Sequence, residues 1–464
     1  MGTTPGRLHE ALRDIGRVSV SRVLFPLHER FKGHDTLRRR RALERTQWWS
    51  SQDLEGLRLT RLRAFLGHVA AHVPYYRDLF RATGFRWEAV RSTADLAGLP
   101  FCTKEIIRAE GDRLRSDAAG RLQRSNTGGS TGEPLVFYLG ADRVSHDVAA
   151  KWRATRWWGV DIGDPEIVLW GSPIELGAQD RVRAIRDRLF HSRLLPAFRM
   201  AEADLEGYVK IVRSYRPRML FGYPSALYRL ATFARTRGES LTDSGIRAVF
   251  TTGERLYDDQ RGAIAEVFGA PVANGYGGRD AGFIAHECPA GGMHLSAEDI
   301  IVEIVDGTGG RVAPGEPGEI VVTHLATRAF PFIRYRTGDI GILDDLPCSC
   351  GRGLPLLKDI QGRSTDFVVA ADGTVMHGLA LIYVVRDLPG VRAFKIIQES
   401  RHRIRVLIVP GTGFAASSRE RIIRGFRERL GSMVEVLVET IPEITGEKSG
   451  KFRYVVSHAP EAAP

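Results

Sequence analysis

Short β-rich stretches alternate with helical segments from about Leu122 onward, and this alternation constrains the fold more than any other feature of the sequence. The β-rich stretches are residues 135–139, 167–170, 219–221, 248–252 and 320–323. Strands that alternate with helices require crossover connections, which produce mixed or parallel sheets. The sequence therefore predicts an α/β fold.

Two further changes of pattern predict the domain organisation. Residues 7–81 have apolar residues three and four apart, which is typical of helices, and residues 341–362 are rich in turn-forming residues. We expect a large N-terminal domain of mixed β-sheets and helices at residues 1–365, with a helical extension to about residue 100, and a small mobile α+β lid domain at residues 366–464. Within the lid, strands are predicted at 395–398, 404–409 and 434–439, and a helix at 417–430.

The chain is basic, and its charge permits several kinds of partner. It has 66 Lys and Arg against 55 Asp and Glu, which gives a net charge of +11. Nucleic acid, an anionic membrane surface and a phosphorylated small molecule all fit such a charge. Nucleic acid is disfavoured because no recognised binding module accompanies the charge. Peripheral contact between the basic N-terminal helices and a membrane stays open.

The sequence predicts a cytoplasmic protein without a transmembrane segment. No window approaches the roughly 20 apolar residues of a spanning helix. Acidic residues interrupt the apolar ones at the N-terminus, which is unlike a secretory signal. The four cysteines are too few for a disulfide framework, and this favours a reducing compartment.

Five short motifs are candidates for chemistry. In residues 125–134, three glycines within five residues let the backbone approach a ligand, and neighbouring hydroxyls can bind phosphate oxygens. A hairpin loop is an equally good interpretation of this segment. In residues 274–280, Tyr276 could stack on a purine and Asp280 could hold a metal ion, although a simple turn would have the same composition.

The other three motifs lie further along the chain. In residues 336–339, the carboxylate of Asp339 can accept hydrogen bonds from both hydroxyls of a ribose. Residues 362–366 mark the expected domain boundary. Residues 446–453 contain two of the eight lysines of the chain, Lys448 and Lys451.

A separate group of residues could bind zinc. His286 and Cys288 form one pair with a single residue between them, and Cys348 and Cys350 form another. One imidazole and three thiolates make a tetrahedral zinc shell, and four protein ligands give it a structural role. The alternative is small buried thiols beside a surface histidine.

Together and in this order, the five motifs resemble those of the adenylate-forming (ANL) superfamily. Within it, the resemblance is to phenylacetate-CoA ligases and CapK-like proteins, and residues 72–77 and 348–352 support that branch. The resemblance runs from about Leu57 to Tyr454. It implies an enzyme that joins a carboxylic acid to ATP with Mg²⁺, releases pyrophosphate, and passes the acyl group from acyl-AMP to coenzyme A.

The resemblance also implies roles for individual residues. The phosphates of ATP would be bound by Thr127, Gly128, Gly129, Ser130, Thr131 and Gly132, with Thr131 among the catalytic residues. Gly253 and Glu254 match the adenine-side turn of the family, and the adenine would face Asn274, Gly275, Tyr276 and Gly277. Asp280 would bind magnesium and Asp339 the ribose.

The remaining implied roles concern the lid and the acid. Lys451 would reach the α-phosphate from the lid, with Lys448 as the alternative. Asp366 would be the hinge and Arg363 would contact the nucleotide side of it. Tyr223 and Phe283 are the candidates for walls of the acid pocket, although aromatic residues more often fill the core.

The sequence departs from the family pattern at three places, of which only the last bears on the acceptor. A lysine common after the phosphate loop is absent, and Asp280 replaces the usual Glu. Residues 372–377 differ from the corresponding stretch of typical phenylacetate-CoA ligases. The alternative function is therefore adenylation with transfer to an amine, a hydroxyl or a carrier-protein thiol in polysaccharide or natural-product biosynthesis. A catalytically inactive nucleotide-binding or membrane-associated scaffold is a third possibility.

Overall fold

Helices and strands alternate in this computed structural model, which describes residues 15–127, 135–170, 180–197, 200–363, 367–386, 388–444 and 453–459. The helices are α1 (Phe25–Lys32), α2 (Thr36–Thr46), α3 (Ser51–His72), α4 (Pro74–Thr83), α5 (Lys104–Glu110), α6 (Ala141–Trp157), α7 (Asp180–Leu189), α8 (Glu202–Tyr215), α9 (Pro224–Thr236), α10 (Asp258–Phe268), α11 (Leu379–Arg386) and α12 (Ala416–Leu430). A π-helical turn at Val20–Leu24 leads into α1.

The strands begin at residue 123. They are β1 (Gln123–Asn126), β2 (Val136–Leu139), β3 (Glu166–Trp170), β4 (Ser192–Pro196), β5 (Met219–Gly222), β6 (Ala248–Thr252), β7 (Val272–Gly278), β8 (Gly282–Glu287), β9 (Met293–Leu295), β10 (Ile300–Val305), β11 (Pro317–His324), β12 (Tyr335–Asp344), β13 (Leu356–Arg363), β14 (Phe367–Val369), β15 (Val375–His377), β16 (Val391–Ser400), β17 (Arg403–Pro410), β18 (Glu435–Thr440) and β19 (Val455–Ser457). The predicted α/β class is confirmed.

An 11-stranded mixed sheet organises the larger part of the chain, in the order β10-β11-β12-β13-β9-β8-β7-β6-β5-β3-β4. The neighbours from β4 to β7 pair in parallel, and helices connect them as the alternating pattern predicts. From β7 to β10 the pairing is antiparallel. Strand β7 is therefore where the sheet changes from parallel to antiparallel pairing.

Helices cover the parallel part of the sheet. All five residues of β6 are buried, as expected for a parallel strand with helices on its faces. Helices α8, α9 and α10 pack there through aliphatic side chains, among them Val209, Leu227 and Ile264. Gly222 allows a close approach of β5 to β3, because a Cβ atom at this position would lie 2.6 Å from the carbonyl oxygen of Leu169.

Helix α3 packs on the antiparallel part of the sheet. Its buried residues Leu62, Phe65, Leu66 and Val69 are spaced for one face of a helix, and they join a core that includes Ile304. Burial of each such side chain contributes about 1.5–3 kcal/mol. The helix begins where Ser50 Oγ accepts a hydrogen bond from the Asp53 amide, and ends just before a proline, which disfavours helical backbone at the preceding residue.

The C-terminal segment has its own sheet and its own core. Strands β18-β17-β16-β19 form a four-stranded sheet and β14 pairs with β15, while α11 and α12 pack on them around residues such as Phe394 and Phe426. The predicted strands and helix of the lid are confirmed. The boundary at residues 365 and 366 stays a prediction, because residues 364–366 lie outside the described residues.

Two contacts connect this segment to helix α10 and the turn before it. Arg386 donates a hydrogen bond of 2.9 Å to Asp259, and the rings of Tyr257 and Tyr454 meet edge to face at 5.7 Å. Among the described residues, no helix has both the length and the apolar character needed to cross a bilayer.

A buried ion pair joins helix α6 to the connection between β9 and β10. Arg153 and Glu298 lie 2.6 Å apart with both side chains fully buried. Thr46 donates a hydrogen bond of 2.8 Å to the same carboxylate, and Arg153 also contacts Ser296 Oγ at 3.3 Å. Removing one member of such a pair leaves an uncompensated buried charge, which is more costly than replacing both.

We predict that Glu298→Ala lowers the free energy of unfolding by about 3–5 kcal/mol, and that the double variant Arg153→Met/Glu298→Leu recovers much of this loss. Urea unfolding followed by tryptophan fluorescence measures the effect. All seven tryptophans precede residue 171, so the signal reports on the large N-terminal part only. Equal destabilisation of the single and double variants would contradict the prediction.

Candidate active site and metal cluster

The end of strand β7 and the middle of strand β12 meet through one hydrogen bond. Tyr276 donates its phenolic proton to Asp339 at 2.9 Å, although the two residues are 63 positions apart in the chain. Burial, and then the charge of Asp339, raise the pKa of Tyr276 well above its usual value, so the phenol stays a donor. The motifs at residues 274–280 and 336–339, which are separate in the sequence, are thus in contact in the structure.

The segment interpreted as a loop or turn at residues 274–280 is largely strand. Strand β7 continues to Gly278, and a register shift lies between Tyr276 and Gly277. A Cβ atom at Gly277 would lie 2.1 Å from the carbonyl oxygen of Gly282. Only a glycine permits this close approach, and the irregularity sits at the residue that meets Asp339.

Asp280 lies in the tight turn between β7 and β8, with both carboxylate oxygens engaged. Tyr335 donates a hydrogen bond of 2.7 Å to one oxygen, and the Ala281 amide donates to the other at 3.0 Å. Burial and the charge of Asp280 raise the pKa of Tyr335. Each carboxylate oxygen has a further lone pair available for a metal ion. Sequence reasoning did not assign Tyr335 this role.

Arg143 of helix α6 binds the backbone of the same turn. Its guanidinium donates to the carbonyl oxygens of Asp280 at 3.1 Å and Arg279 at 3.3 Å, and its Nε forms an ion pair of 2.8 Å with Asp147. The residue is 1% exposed. Although burial opposes it, the charge of Arg143 holds the pKa of the Asp147 carboxyl well below its usual range.

Two histidines flank Asp147 and raise the question of a second metal site. His146 Nδ1 and His324 Nε2 lie 3.5 and 3.6 Å from Asp147 Oδ1, and the three side chains are close enough to hold an ion. However, His324 Nδ1 accepts a hydrogen bond from the Ala326 amide. The proton of the neutral ring is therefore on Nε2, which turns a donor toward Asp147 and leaves no lone pair for a metal.

The predicted adenine-side residues lie beside each other, at the end of β6 and within β7. Parallel pairing places Thr252 opposite Gly275, and Gly253 follows with a φ of 83°. Glu254 accepts a hydrogen bond of 3.1 Å from the Ser225 amide at the start of α9. The backbone amide of Asn274 donates a hydrogen bond of 2.8 Å to the Glu287 carboxylate.

The predicted phosphate loop lies between strands β1 and β2 in the sequence. Strands β1 and β2 pair antiparallel, and Thr127 closes them because its Oγ1 accepts a hydrogen bond from the Leu135 amide. Arg279 Nη1 lies 3.5 Å from the Asn126 carbonyl oxygen, which connects the hairpin to the Asp280 turn. The residues Gly128, Gly129, Ser130, Thr131 and Gly132 lie outside the described residues.

Arg363 is the register partner of Asp339 in the pairing of β12 with β13. The end of β13 is also held by Arg255, which donates a hydrogen bond of 2.8 Å to the Gln361 carbonyl oxygen. The segment leading to the predicted hinge thus starts beside the predicted ribose residue. Asp366, Lys448 and Lys451 lie outside the described residues.

The two predicted wall residues occupy different environments. Tyr223 directly follows β5, is 2% exposed and stacks on Trp170 with ring centroids 4.2 Å apart. Phe283 stacks on His286 at 5.2 Å and packs against Ala149 and Ala150 of α6. Phe283 therefore fills space between the sheet and α6. Its assignment to the acid pocket, like that of Tyr223, stays a prediction.

Three cysteines and one histidine converge beside β9. The thiols of Cys288, Cys348 and Cys350 and a ring nitrogen of His294 all lie within 4.8 Å of one another. The Cys288 and Cys348 sulfurs are 3.7 Å apart, and Cys350 Sγ is 3.2 Å from His294 Nε2. All four cysteines of the chain are free thiols.

The prediction of His286 in this cluster is wrong in the structure, because His294 takes the place. The two histidines are register partners in β8 and β9, but the His286 ring stacks on Phe283. Neither of its nitrogens has a hydrogen-bond partner among the described residues, and burial lowers its pKa to about 3. The spacing of two residues to Cys288 favoured His286 in the sequence, whereas the β8–β9 turn brings His294 back to the cysteines.

Two family models match the chain. The model described as AMP-binding enzyme matches residues 193–326, and the CapK C-terminal domain matches residues 368–458.

Curated relatives match most of the chain. Protein CapK of Staphylococcus aureus is 23% identical over 413 residues, covering 88% of this chain and 90% of the relative. A phenylacetate-coenzyme A ligase of Thermus thermophilus is 24% identical over 442 residues, covering 87% and 96%. Among solved structures, 2-hydroxyisobutyryl-CoA ligase in the postadenylation state, in complex with R3-HIB-AMP, superposes with a TM-score of 0.72 at 20% identity, covering 89% of this chain and 91% of that one. These similarities agree with the observed fold.

We predict that His324→Gln weakens the pH dependence of stability of the large N-terminal part. Burial, and then the charge of Arg143, lower the pKa of His324 to about 3, so between pH 6.5 and 3 the unfolded chain binds a proton that the folded chain does not. Stability is lost as the pH falls through this window, by about 1.4 kcal/mol per pH unit for one such group.

Tryptophan fluorescence in urea at pH 7 and pH 5 measures the effect, and the variant should lose about 2 kcal/mol less than the wild type over this interval. Asp147 does not contribute to the pH dependence of stability between pH 7 and pH 5. Its pKa is lowered in the folded chain, so it changes stability only when the pH falls to the usual pKa of a carboxyl group or below. His402→Gln, at an exposed position of the C-terminal segment, is the matched control. An unchanged slope in His324→Gln would show that the ring is protonated in the folded chain.

Proposed function

Because the chain belongs to the adenylate-forming (ANL) superfamily and carries a CapK-type C-terminal domain, we propose that it activates a carboxylic acid with ATP as an acyl-adenylate and transfers the acyl group to coenzyme A. The observation that carries the proposal is the hydrogen bond between Tyr276 and Asp339. It joins the predicted adenine-binding and ribose-binding motifs at one place on the sheet, which is where a nucleoside requires them.

The nucleoside would lie along the end of β6 and the central residues of β7 and β12. Asp339 accepts a hydrogen bond from Tyr276, and because a carboxylate can accept several hydrogen bonds it would also bind the ribose hydroxyls. The turn at Gly253 and Glu254 and the strand residues Asn274 and Gly275 would enclose the adenine. The positive φ of Gly253 lets the chain turn away from the sheet there without a side chain that occupies the site.

The triphosphate would extend toward the β1–β2 hairpin and the Asp280 turn. A carboxylate that attacks the α-phosphate meets accumulated negative charge, so catalysis needs aimed donors and cations. Backbone amides and hydroxyls of the loop from Thr127 to Gly132, including Thr131, would supply donors. Magnesium, when bound at Asp280, would supply positive charge to the phosphate oxygens. Tyr335 and Arg143 position this carboxylate by fixing its side chain and its backbone.

The lid would supply the mobile cation. Lys451 would bind the α-phosphate and the substrate carboxylate during adenylation. Rotation about Asp366 would then exchange the adenylation arrangement for the transfer arrangement, with Arg363 at the nucleotide side of the hinge. The cytoplasm, where ATP and coenzyme A are both present, is the expected location.

Zinc would occupy the cysteine and histidine cluster in a structural role. Tetrahedral coordination with Zn–S distances near 2.3 Å separates two sulfurs by about 3.8 Å, and Cys288 and Cys348 are 3.7 Å apart. The His294 Nδ1 lies 3.3 Å from the Leu354 carbonyl oxygen. A proton on Nδ1 directs the Nε2 lone pair toward the cysteines, as zinc ligands require. A Cβ atom at Gly292 would lie 2.6 Å from Cys348 Sγ, so this position must stay small.

A second function, transfer to a non-CoA acceptor, is supported by the C-terminal match to CapK at residues 368–458 and by the divergent stretch at residues 372–377. The first half-reaction is the same in both cases. Acid-dependent pyrophosphate exchange followed by a panel of acceptors separates the two functions. Exchange without a thioester product, together with acylation of an amine, a hydroxyl or a carrier-protein thiol, would establish the second.

We predict that Lys451→Ala abolishes acid-dependent ATP–pyrophosphate exchange, with a loss of about 10²-fold or more, while nucleotide binding is retained. Lys448→Ala is the matched control, because it removes the same charge three residues away and should leave most of the activity. A library of carboxylic acids screened by pyrophosphate release identifies the substrate for this assay. Normal exchange in Lys451→Ala would remove this lysine from the mechanism, and a complete absence of exchange with every acid would contradict the proposed function.

We predict that the purified protein contains about one zinc ion per chain and that His294→Ala loses most of it, because one of four ligands is removed. His286→Gln, two residues from Cys288 but outside the cluster, should retain the metal. Elemental analysis after purification without chelators measures both. Loss of zinc from the His286 variant and not from the His294 variant would reverse the assignment.

A further inference from the structure

Residues 15–32 expose an unusual amount of apolar surface. Phe31 is 89% exposed, Leu27 60% and Val23 51%. Ile15, Val18 and Leu24 are also exposed. Isolated exposed apolar residues are normal in soluble proteins, but a contiguous group on one short segment marks an interaction surface.

The exposed side of helix α1 is opposite to the side by which the helix is docked. Phe25 and Glu29 are buried, and Phe25 meets Phe190 edge to face at 6.1 Å. Leu27 and Phe31 are four residues apart and therefore share a face of α1, and Val23 lies four residues before Leu27 in the π-helical turn that leads into the helix. Leu27 and Phe31 are offset by two residues, about 200°, from the buried pair. The helix is thus held to the protein by one apolar face and presents a second one to solvent.

The charge around this face is positive. Arg22, Arg30 and Lys32 are exposed. The acidic residue within 15–32 is Glu29, which is buried and accepts a hydrogen bond from Thr36. The exposed charges of the segment are therefore all basic.

Neighbouring helix α7 has the same character. It leads directly into Phe190, which contacts Phe25, and it exposes Ile185 and Leu189. Arg186 and Arg188 lie exposed beside these apolar residues. The basic and apolar surface thus extends over two adjacent elements.

We propose that the face formed by Val23, Leu24, Leu27 and Phe31, which we call the α1 apolar face, binds the surface of a membrane that contains anionic lipids. Its apolar side chains would enter the boundary between headgroups and acyl chains, and Arg22, Arg30 and Lys32 would bind lipid phosphates. This is the arrangement of a helix that lies in the plane of the membrane surface. Two copies of the face would oppose positive charge with positive charge, so a second copy of the chain is a poorer occupant.

The experiment is sedimentation of the full chain with lipid vesicles. Phosphatidylcholine vesicles are compared with vesicles that contain about one-third phosphatidylglycerol, at low salt and at about 0.5 M salt, where the Debye length is only a few ångströms. We expect at least fivefold more bound protein on the anionic vesicles and a large loss of binding at high salt. Leu27→Ser/Phe31→Ser should reduce binding at least fivefold, and Arg22→Glu/Arg30→Glu should abolish the preference for anionic lipid.

Leu346→Ser/Met433→Ser is the matched control, because these apolar residues are 67% and 84% exposed but lie elsewhere in the chain; it should bind like the wild type. All of these positions lie outside the proposed active site, so acid-dependent pyrophosphate exchange should be unchanged in every variant. Failure of membrane binding is thus distinguishable from failure of the proposed function.

Three outcomes would overturn the proposal. Equal sedimentation of the wild type and Leu27→Ser/Phe31→Ser with anionic vesicles would show that the face does not bind lipid. Dimers of the wild type that dissociate in this variant, without lipid binding, would assign the face to a second copy of the chain. Binding that appears only after deletion of residues 2–14 would show that this segment covers the face.

Discussion

The buried guanidinium of Arg143 is the contact on which the candidate active site depends. It belongs to helix α6, yet it binds the backbone of the turn between β7 and β8 and the carboxylate of Asp147. A turn that contains glycines has many conformations available to it, and a fully buried bidentate donor selects one of them. Tyr335 then fixes the Asp280 side chain, and Tyr276 ties the adjoining strand to Asp339. The chemistry proposed for the site needs the carboxylates held in these positions before any nucleotide binds.

The elements of the fold could be predicted from local patterns, and their association could not. The strands at residues 167–170 and 248–252 and the lid helix at 417–430 carry their own periodicity. The order of 11 strands in one sheet is set by long-range pairing, which leaves little trace in a short window. Residues 274–280 show the limit most clearly, because three glycines in the segment indicate a turn. The structure uses one of them, Gly277, for a close approach within a strand pair.

The metal cluster shows a similar limit. Short spacing along the chain favoured His286 over His294, but spacing does not report which way a ring faces after a turn. The His286 ring stacks on Phe283, whereas the His294 ring lies with the three cysteines. Hydrogen bonding of the second ring nitrogen then decides whether a buried histidine can bind a metal. His294 lies beside a carbonyl oxygen through Nδ1 and can present a lone pair at Nε2, while His324 accepts from an amide at Nδ1 and presents a proton. Two histidines with similar burial are thus suited to opposite tasks, and a single sequence contains no signal that separates them.

The C-terminal segment has its own four-stranded sheet and its own buried core, and it meets the turn before α10 and the start of that helix through contacts such as Arg386 with Asp259 and Tyr454 with Tyr257. A unit built in this way can be exchanged between homologous proteins at little cost to either partner, provided that these surface contacts are kept. Diversification of such chains can therefore proceed by recombination of whole modules, with the 11-stranded sheet retained and the C-terminal module replaced.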